Sequence, residues 1–259
     1  MLKNNFFGTL LICICTISFI DCKTANKSGV SSKKINEGYV HIEGRAYKGV
    51  DEHGEPVDRL TGYDSMMSSM NRIMWLKDSF MIETETNTVL ENEKYMRTDT
   101  TGYRMYYFPG QRFFEFKTME PGAKVFRTGA MADPEGSYAN TPALDPMNGI
   151  PDSAWQVRDT VVNGESLGIV SFRPELAADS AELELYKKAK FWVNYNVKDF
   201  PLQLSYQLSG KLRHSFVYKM QLPAGDNSML LVVSLHYQPA KLQDTVSKVF
   251  ESWSQWFKM

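Results

Sequence analysis

The chain has 259 residues, of which 43% are hydrophobic, 13% aromatic and 23% charged. That balance belongs to a folded globular protein and excludes a disordered, collagen-like or disulfide-stapled one. With 29 Lys and Arg against 30 Asp and Glu scattered along the whole length, no cationic face is available for nucleic acid, and no nucleic-acid partner is expected.

The chain opens with Lys3 and an apolar run from Phe6 to Ile20. That run is roughly 15 residues, against the ~20 a helix needs to cross a hydrocarbon core, and it has the length of a signal-peptide h-region. Residues 1–21 therefore read as a signal peptide, and the protein as exported. All three cysteines, Cys13, Cys15 and Cys22, lie in this leader or at its edge, so nothing beyond Cys22 can form a disulfide or a Cys-ligated metal site. Ser18-Phe19-Ile20-Asp21-Cys22 resembles a bacterial lipoprotein signal, with Asp21 standing where a small residue is usual. The resemblance makes Cys22 the lipidated residue and the anchor of a periplasmic protein to a membrane. Cleavage by the ordinary signal peptidase and an uncleaved leader are the alternatives. Residues 22–38, rich in Lys, Ser, Thr and Asn, cannot bury enough surface to order themselves and read as a flexible tether.

From Tyr39 onward the dominant period is two, the signature of strands. Val40, Ile42 and Ala46 alternate with His41, Glu43 and Arg45, and Leu202, Leu204, Tyr206 and Leu208 alternate with Gln203, Ser205, Gln207 and Ser209. Further strands are predicted at 70–77, 79–86, 103–108, 112–118, 156–162, 167–173, 191–197, 215–222 and 229–238, separated by turn signals such as Asn163-Gly164 and Pro223-Ala224-Gly225. Residues 120–153, with five prolines and no sustained period, predict a long loop: either a lid over a cavity or an ordered surface excursion. Helical spacing appears twice, over 177–189 and at Leu242, Val246, Val249, Phe250, Trp253 and Phe257, the latter an amphipathic C-terminal helix that leaves Trp256 off its stripe. The fold class is thus α+β, mostly β: a curved antiparallel sheet of about ten strands covered by a few helices.

Little chemistry is on offer. There is no G-x-S-x-G nucleophile turn and no glycine-rich phosphate loop. His41, His53, His214 and His236 are the whole histidine supply, and His41 and His236 sit in strand alternation as sheet-face residues. Asp51-Glu52-His53-Gly54-Glu55 with Asp58 offers oxygen and imidazole donors but lacks EF-hand or zinc-helix spacing, and reads as a solvated hairpin loop. No enzyme, cofactor or metal is expected.

What the chain has in excess is soft apolar surface: 14 Met, 15 Phe, 13 Tyr and 5 Trp. In 103–108 and 229–233 neither alternating set is clearly polar, so both faces of those strands must be covered or must face something greasy. Met66, Met67, Met70, Met74, Met81, Met96 and Met105 gather in one third of the chain, and unbranched Met adapts to irregular apolar partners. Met70, Met74, Met81, Met105, Tyr107, Phe114, Phe116 and Trp192 are the candidate lining of a cavity for a lipid or acyl chain. A core that simply fills itself gives the same composition.

The strand Lys190-Phe191-Trp192-Val193-Asn194-Tyr195-Asn196-Val197, continuing into Asp199-Phe200-Pro201-Leu202, and the preceding hairpin over 159–168 resemble the LolA/LolB-like lipoprotein-carrier superfold of exported outer-membrane proteins, including Bacteroidetes-type relatives. The likeness covers Val157 to Gln238. It implies that residues 39–259 form a single half-barrel domain, with the long loop at 120–153 and lipid held between sheet and helices. It implies no catalytic residue. The expected function is non-catalytic binding of a hydrophobic ligand in the envelope; the alternative is a structural or scaffold lipoprotein with a filled core that contacts a partner protein.

Overall fold

The computed structural model describes residues 37–63, 71–91, 94–131, 145–224 and 229–258. The predicted signal peptide, Cys22, Met66, Met67, Met70 and part of the predicted long loop lie outside the described residues. Twelve strands run in chain order as β1 (Glu37–Val50), β2 (Pro56–Arg59), β3 (Arg72–Lys77), β4 (Phe80–Glu91), β5 (Lys94–Tyr107), β6 (Arg112–Phe116), β7 (Val125–Ala130), β8 (Trp155–Val162), β9 (Glu165–Phe172), β10 (Lys190–Lys198), β11 (Ser215–Ala224) and β12 (Met229–Pro239). Among the described residues the α-helices are α1 (Ser180–Lys188), α2 (Tyr206–Lys211) and α3 (Asp244–Trp253).

All strands join one antiparallel sheet in the order β7-β6-β5-β4-β3-β1-β12-β11-β10-β9-β8, with β2 paired to β1. The sheet is curved and does not close into a barrel, and helices cover it, as the periodicity predicts. Most steps are between chain neighbours: turns of a few residues join β3 to β4, β5 to β6 and β8 to β9 as antiparallel hairpins, while α1 and α2 lie in the longer connections from β9 to β10 and from β10 to β11. The β8–β9 hairpin is typical: Asn163 and Gly164 both take positive φ, 52° and 80°, which the tight primed turn requires. The first and last strands meet at the centre of the sheet, β12 beside β1, in ten directly opposed pairs from Gly38↔Pro239 to Tyr47↔Leu230.

The register defines two faces. On the first, Leu76, Met81, Tyr106 and Phe113 stand directly opposite one another across β3 to β6. Val157, Val170, Phe191, Met220 and Val233 do the same from β8 to β12. These rows belong to two apolar clusters that share Leu204 and Met220 and are covered by α1, α2 and the segment 200–204. On the second face Trp75, Ile82, Met105 and Phe114 form the corresponding row, and α3 lies on it through Val246, Val249, Phe250 and Trp253. The 3.6-residue stripe read from the C-terminal sequence is the buried face of α3, and Trp256, off that stripe, is 36% exposed.

Three expectations are corrected. The alternation over 202–208 is not a strand: Ser205 caps α2 by accepting from Leu208 N–H, and Leu202 and Gln203 are both buried. Gln203 takes over the role of a ladder residue, donating to the Phe200 carbonyl and accepting from Val217 N–H. The stretch 120–153 is not wholly loop, since 125–130 form β7, whose side chains alternate between half-buried and exposed. The solvated hairpin loop read at 51–55 is present: it joins β1 to the short strand β2, which takes up Asp58, and the Asp51 carboxylate accepts from His53 and Glu55 N–H within it. Glu37 and Gly38, read as tether, begin β1.

Candidate ligand-binding face

The described cavity candidates divide between the faces. Met74 and Met81 lie in the first-face cluster with Val40, Leu76 and Phe113. Met105, Phe114 and Phe116 lie on the second face beneath α3. There Phe116 stacks on Trp253 at 3.7 Å between ring centres and 8° between planes, and the indole N–H donates to the Glu120 carbonyl at 2.9 Å. Tyr107 is also on the second face, packed on Phe80 at 4.9 Å and Phe257 at 5.2 Å. Trp192, on β10, carries the Lys219 ammonium 4.1 Å from its ring centre; burial lowers the Lys219 pKa from its ordinary value. These side chains therefore do not line one common space.

What sequence reasoning missed is the polar half of the first face. Two residues along from the Met81–Tyr106–Phe113 row, Glu83, Arg104, Glu115 and Arg127 stand directly opposite one another on β4, β5, β6 and β7. Charges thus alternate in sign across four strands, the arrangement that directly opposed pairs favour. Glu83, Arg104 and Glu115 are 4%, 5% and 3% exposed. Arg104 donates to Glu115 Oε1 through Nε at 3.0 Å and Nη2 at 2.5 Å, lies 3.6 Å from Glu83, and pairs with Glu85. Arg72 on β3 reaches Glu83 at 3.3 Å, and the Tyr106 hydroxyl donates to Glu83.

One guanidinium shared by three carboxylates has defined electrostatic consequences. Burial opposes the Arg104 charge, but Tyr106 and the carboxylates of Glu115 and Glu85 hold its pKa above the ordinary range. Burial, reinforced by Glu115 and Glu83, outweighs the attraction of Arg104 and pushes Glu85 up. Burial and then the Glu83 charge push the Tyr106 phenol well up, keeping it a neutral donor. The network adjoins the apolar cluster without a gap: the Arg104 guanidinium lies over the Phe113 ring at 4.8 Å. The signal for it was a charge set between uncharged neighbours in each of three strands, at Glu83, Arg104 and Glu115, but only the register brings those charges together.

Further along the first face, Val197, Leu204, Tyr218, Met220, Leu231 and Tyr237 pack on the apolar cluster yet remain partly exposed. The helices over this face have nine and six residues. A separate shallow cleft of about 330 Å³ is lined by Asp159, Thr160, Val161, Ser166, Leu167 and Tyr195. Tyr195 donates to Asp159 at 2.9 Å, and burial together with that bond pushes its phenol up to about 12. Its ring lies over Gly168, where a Cβ would meet the Tyr195 hydroxyl oxygen at 2.3 Å.

Among the described residues no three His, Cys, Asp or Glu side chains form a metal-holding group, and no helix is long and apolar enough to cross a membrane. No known family and no curated protein matches the chain.

Proposed function

We propose that the protein is a non-catalytic envelope protein that holds a lipid or other hydrophobic ligand against the first face of its sheet, anchored to a membrane through a lipidated Cys22. The observation that carries this reading is the partly exposed apolar rim of Tyr218, Met220, Leu231 and Tyr237, continuous with a buried Met-containing cluster. Toward β7 the same face carries the buried Glu83–Arg104–Glu115 row, whose accessible margin is Arg127 and the partly exposed Glu85, so it offers an apolar stretch and a polar end, the two chemistries of an amphiphile. Each methylene removed from water is worth about 0.8 kcal/mol, so a half-engulfed acyl chain gains several kcal/mol on such a surface. The resemblance of 157–238 to the LolA/LolB-like carriers supports the same reading, as does the open curved sheet.

Native mass spectrometry of the full chain, purified from membranes in mild detergent, tests it. The wild type should carry a lipid-sized adduct that Tyr218→Asp and Leu231→Asp lose while their circular dichroism is unchanged. A clean apo mass, with no uptake of a fluorescent fatty acid, would overturn it. Cys22→Ser should release the protein from the membrane fraction.

A second reading, a structural lipoprotein that touches a partner protein, is favoured by the second face, which the chain's own α3 fills, and by the exposed Trp256. In that case crosslinking in cells gives a discrete protein adduct that depends on Trp256, and no lipid is found.

A further inference from the structure

Between the part of the second face covered by α3 and the part where Trp192 and Lys219 pack lies an uncovered strip on β1 and β12. His41 on β1 and His236 on β12 stand directly opposite one another there, both exposed. Ile73 faces His41 from β3 and is 55% exposed. Their imidazole centres are 6.3 Å apart with the planes inclined by 41°. Glu43, on the same side of β1, places a carboxylate oxygen 3.9 Å from His236 Nε2, while its other oxygen accepts from Arg45 Nε at 2.8 Å.

We propose that His41 and His236 form a surface site for a borderline divalent transition metal such as Zn²⁺ or Cu²⁺, completed by solvent ligands. Two imidazoles sharing an ion at about 2.1 Å place their ring centres roughly 5 to 6.5 Å apart, for bond angles from tetrahedral to linear. The observed spacing falls inside that range, so ligation needs side-chain rotation and no backbone movement. The backbone there is held on both sides: β1 pairs at His41 with Ile73 and with His236, and the ten β1–β12 pairs run without a register shift. Imidazole selects Zn²⁺, Cu²⁺ and Ni²⁺ over Mg²⁺ and Ca²⁺, with Cu²⁺ bound most tightly. Glu43 contributes a negative charge at the edge of the site, partly balanced by Arg45. The site lies on the face opposite the apolar rim, so it is independent of ligand binding there.

The test uses the untagged full chain in mild detergent. Titration with Zn²⁺ should show one equivalent bound in the micromolar range, and Cu²⁺ electron paramagnetic resonance should show nitrogen splitting from two imidazoles. His41→Gln or His236→Gln should each weaken Zn²⁺ binding at least tenfold and reduce the Cu²⁺ signal to one nitrogen, whereas His53→Gln and His214→Gln leave both unchanged. In the unsubstituted protein, Zn²⁺ should also protect His41 and His236, but not His53, from diethylpyrocarbonate as read by peptide mass spectrometry. Wild-type affinity in either of the first two variants, saturation only at millimolar metal, or equal modification of the pair with and without Zn²⁺ would overturn the proposal.

Discussion

The two faces of strands β3 to β6 are built from alternate residues of the same segments and are closed in opposite ways. The second face is closed by rings: Phe116 on Trp253, Phe114 edge-on to Phe257 at 4.4 Å, and Phe80 on Tyr107. The first is apolar for one row and ionic for the next, with Glu83, Arg104 and Glu115 buried as deeply as the Met and Phe beside them. Apolar closure is non-directional and tolerates a helix laid across it, whereas ionic closure works only if every charge keeps its partner. The contrast therefore separates a face closed by ring packing from one closed in part by matched charges.

Removing the centre of the ring-packed face should have the largest effect. Trp253→Ala deletes a side chain with no solvent exposure, its stack on Phe116 and its bond to Glu120. Urea unfolding should show a loss of about 3–5 kcal/mol. If α3 were only draped on the sheet, the loss would stay near 1 kcal/mol. Next comes the ionic face. Arg104→Met removes the cation shared by Glu83, Glu85 and Glu115, leaving Glu83 with Arg72 and Tyr106 and Glu115 with the Arg127 guanidinium 3.9 Å away, and should cost about 3 kcal/mol at neutral pH. Unlike the Trp253 defect, this one should shrink as pH falls, because protonation of these carboxylates removes their charge. Parallel pH profiles for the two variants would erase the distinction between the faces.

Much of this contrast was legible in the sequence. The mixed pattern of 103–108 calls for two faces that are either covered or turned to something greasy, and both are covered. The i, i+3, i+4 stripe of the C-terminal segment picks out the four residues that α3 buries. The division of the Met and aromatic side chains between faces was not legible, because it depends on which strands are neighbours and in what register. Met81 and Met105 look equivalent in the sequence, yet they lie on opposite sides of the sheet. The charge row was hidden for the same reason. Residues 202–208 misled because alternation reports burial at period two only when the backbone is extended. Pro201 and the Ser205 cap bend this segment over the first face instead, and Gln203 satisfies the neighbouring backbone.

The covering elements can be compared in the same way. The second face is held by the aromatic stripe of α3, but α2 over the first face is held at its start by polar atoms. Asp145, 8% exposed, accepts from Ser205 Oγ at 2.8 Å and from Gln207 N–H at 2.9 Å, while Ser205 Oγ accepts from Leu208 N–H at 3.0 Å. Ser205→Ala removes the cap and one donor to Asp145, and should cost about 1 kcal/mol. Hydrogen exchange should show the change as faster exchange over 205–212, with α3 unaffected. Uniform acceleration across both helices would mean that the two faces unfold as one unit.

The smallest effect discriminates most finely, since it asks whether the ionic row is balanced or over-supplied with carboxylate. The folded-state pKa of Glu85 is raised above its ordinary value, so between the unfolded and folded pKa values the native state binds more protons than the unfolded one. Stability therefore falls as pH rises through that window, which begins near 4.5, and the loss persists at neutral pH. Glu85→Gln removes the titration: the variant should match the wild type below the window and be slightly more stable above it. Denaturant titrations at pH 4 and pH 7 measure both limits. A variant less stable than wild type at pH 7 would show that pairing with Arg104 outweighs burial and the two neighbouring carboxylates. The first face would then be as complete electrostatically as the second is sterically.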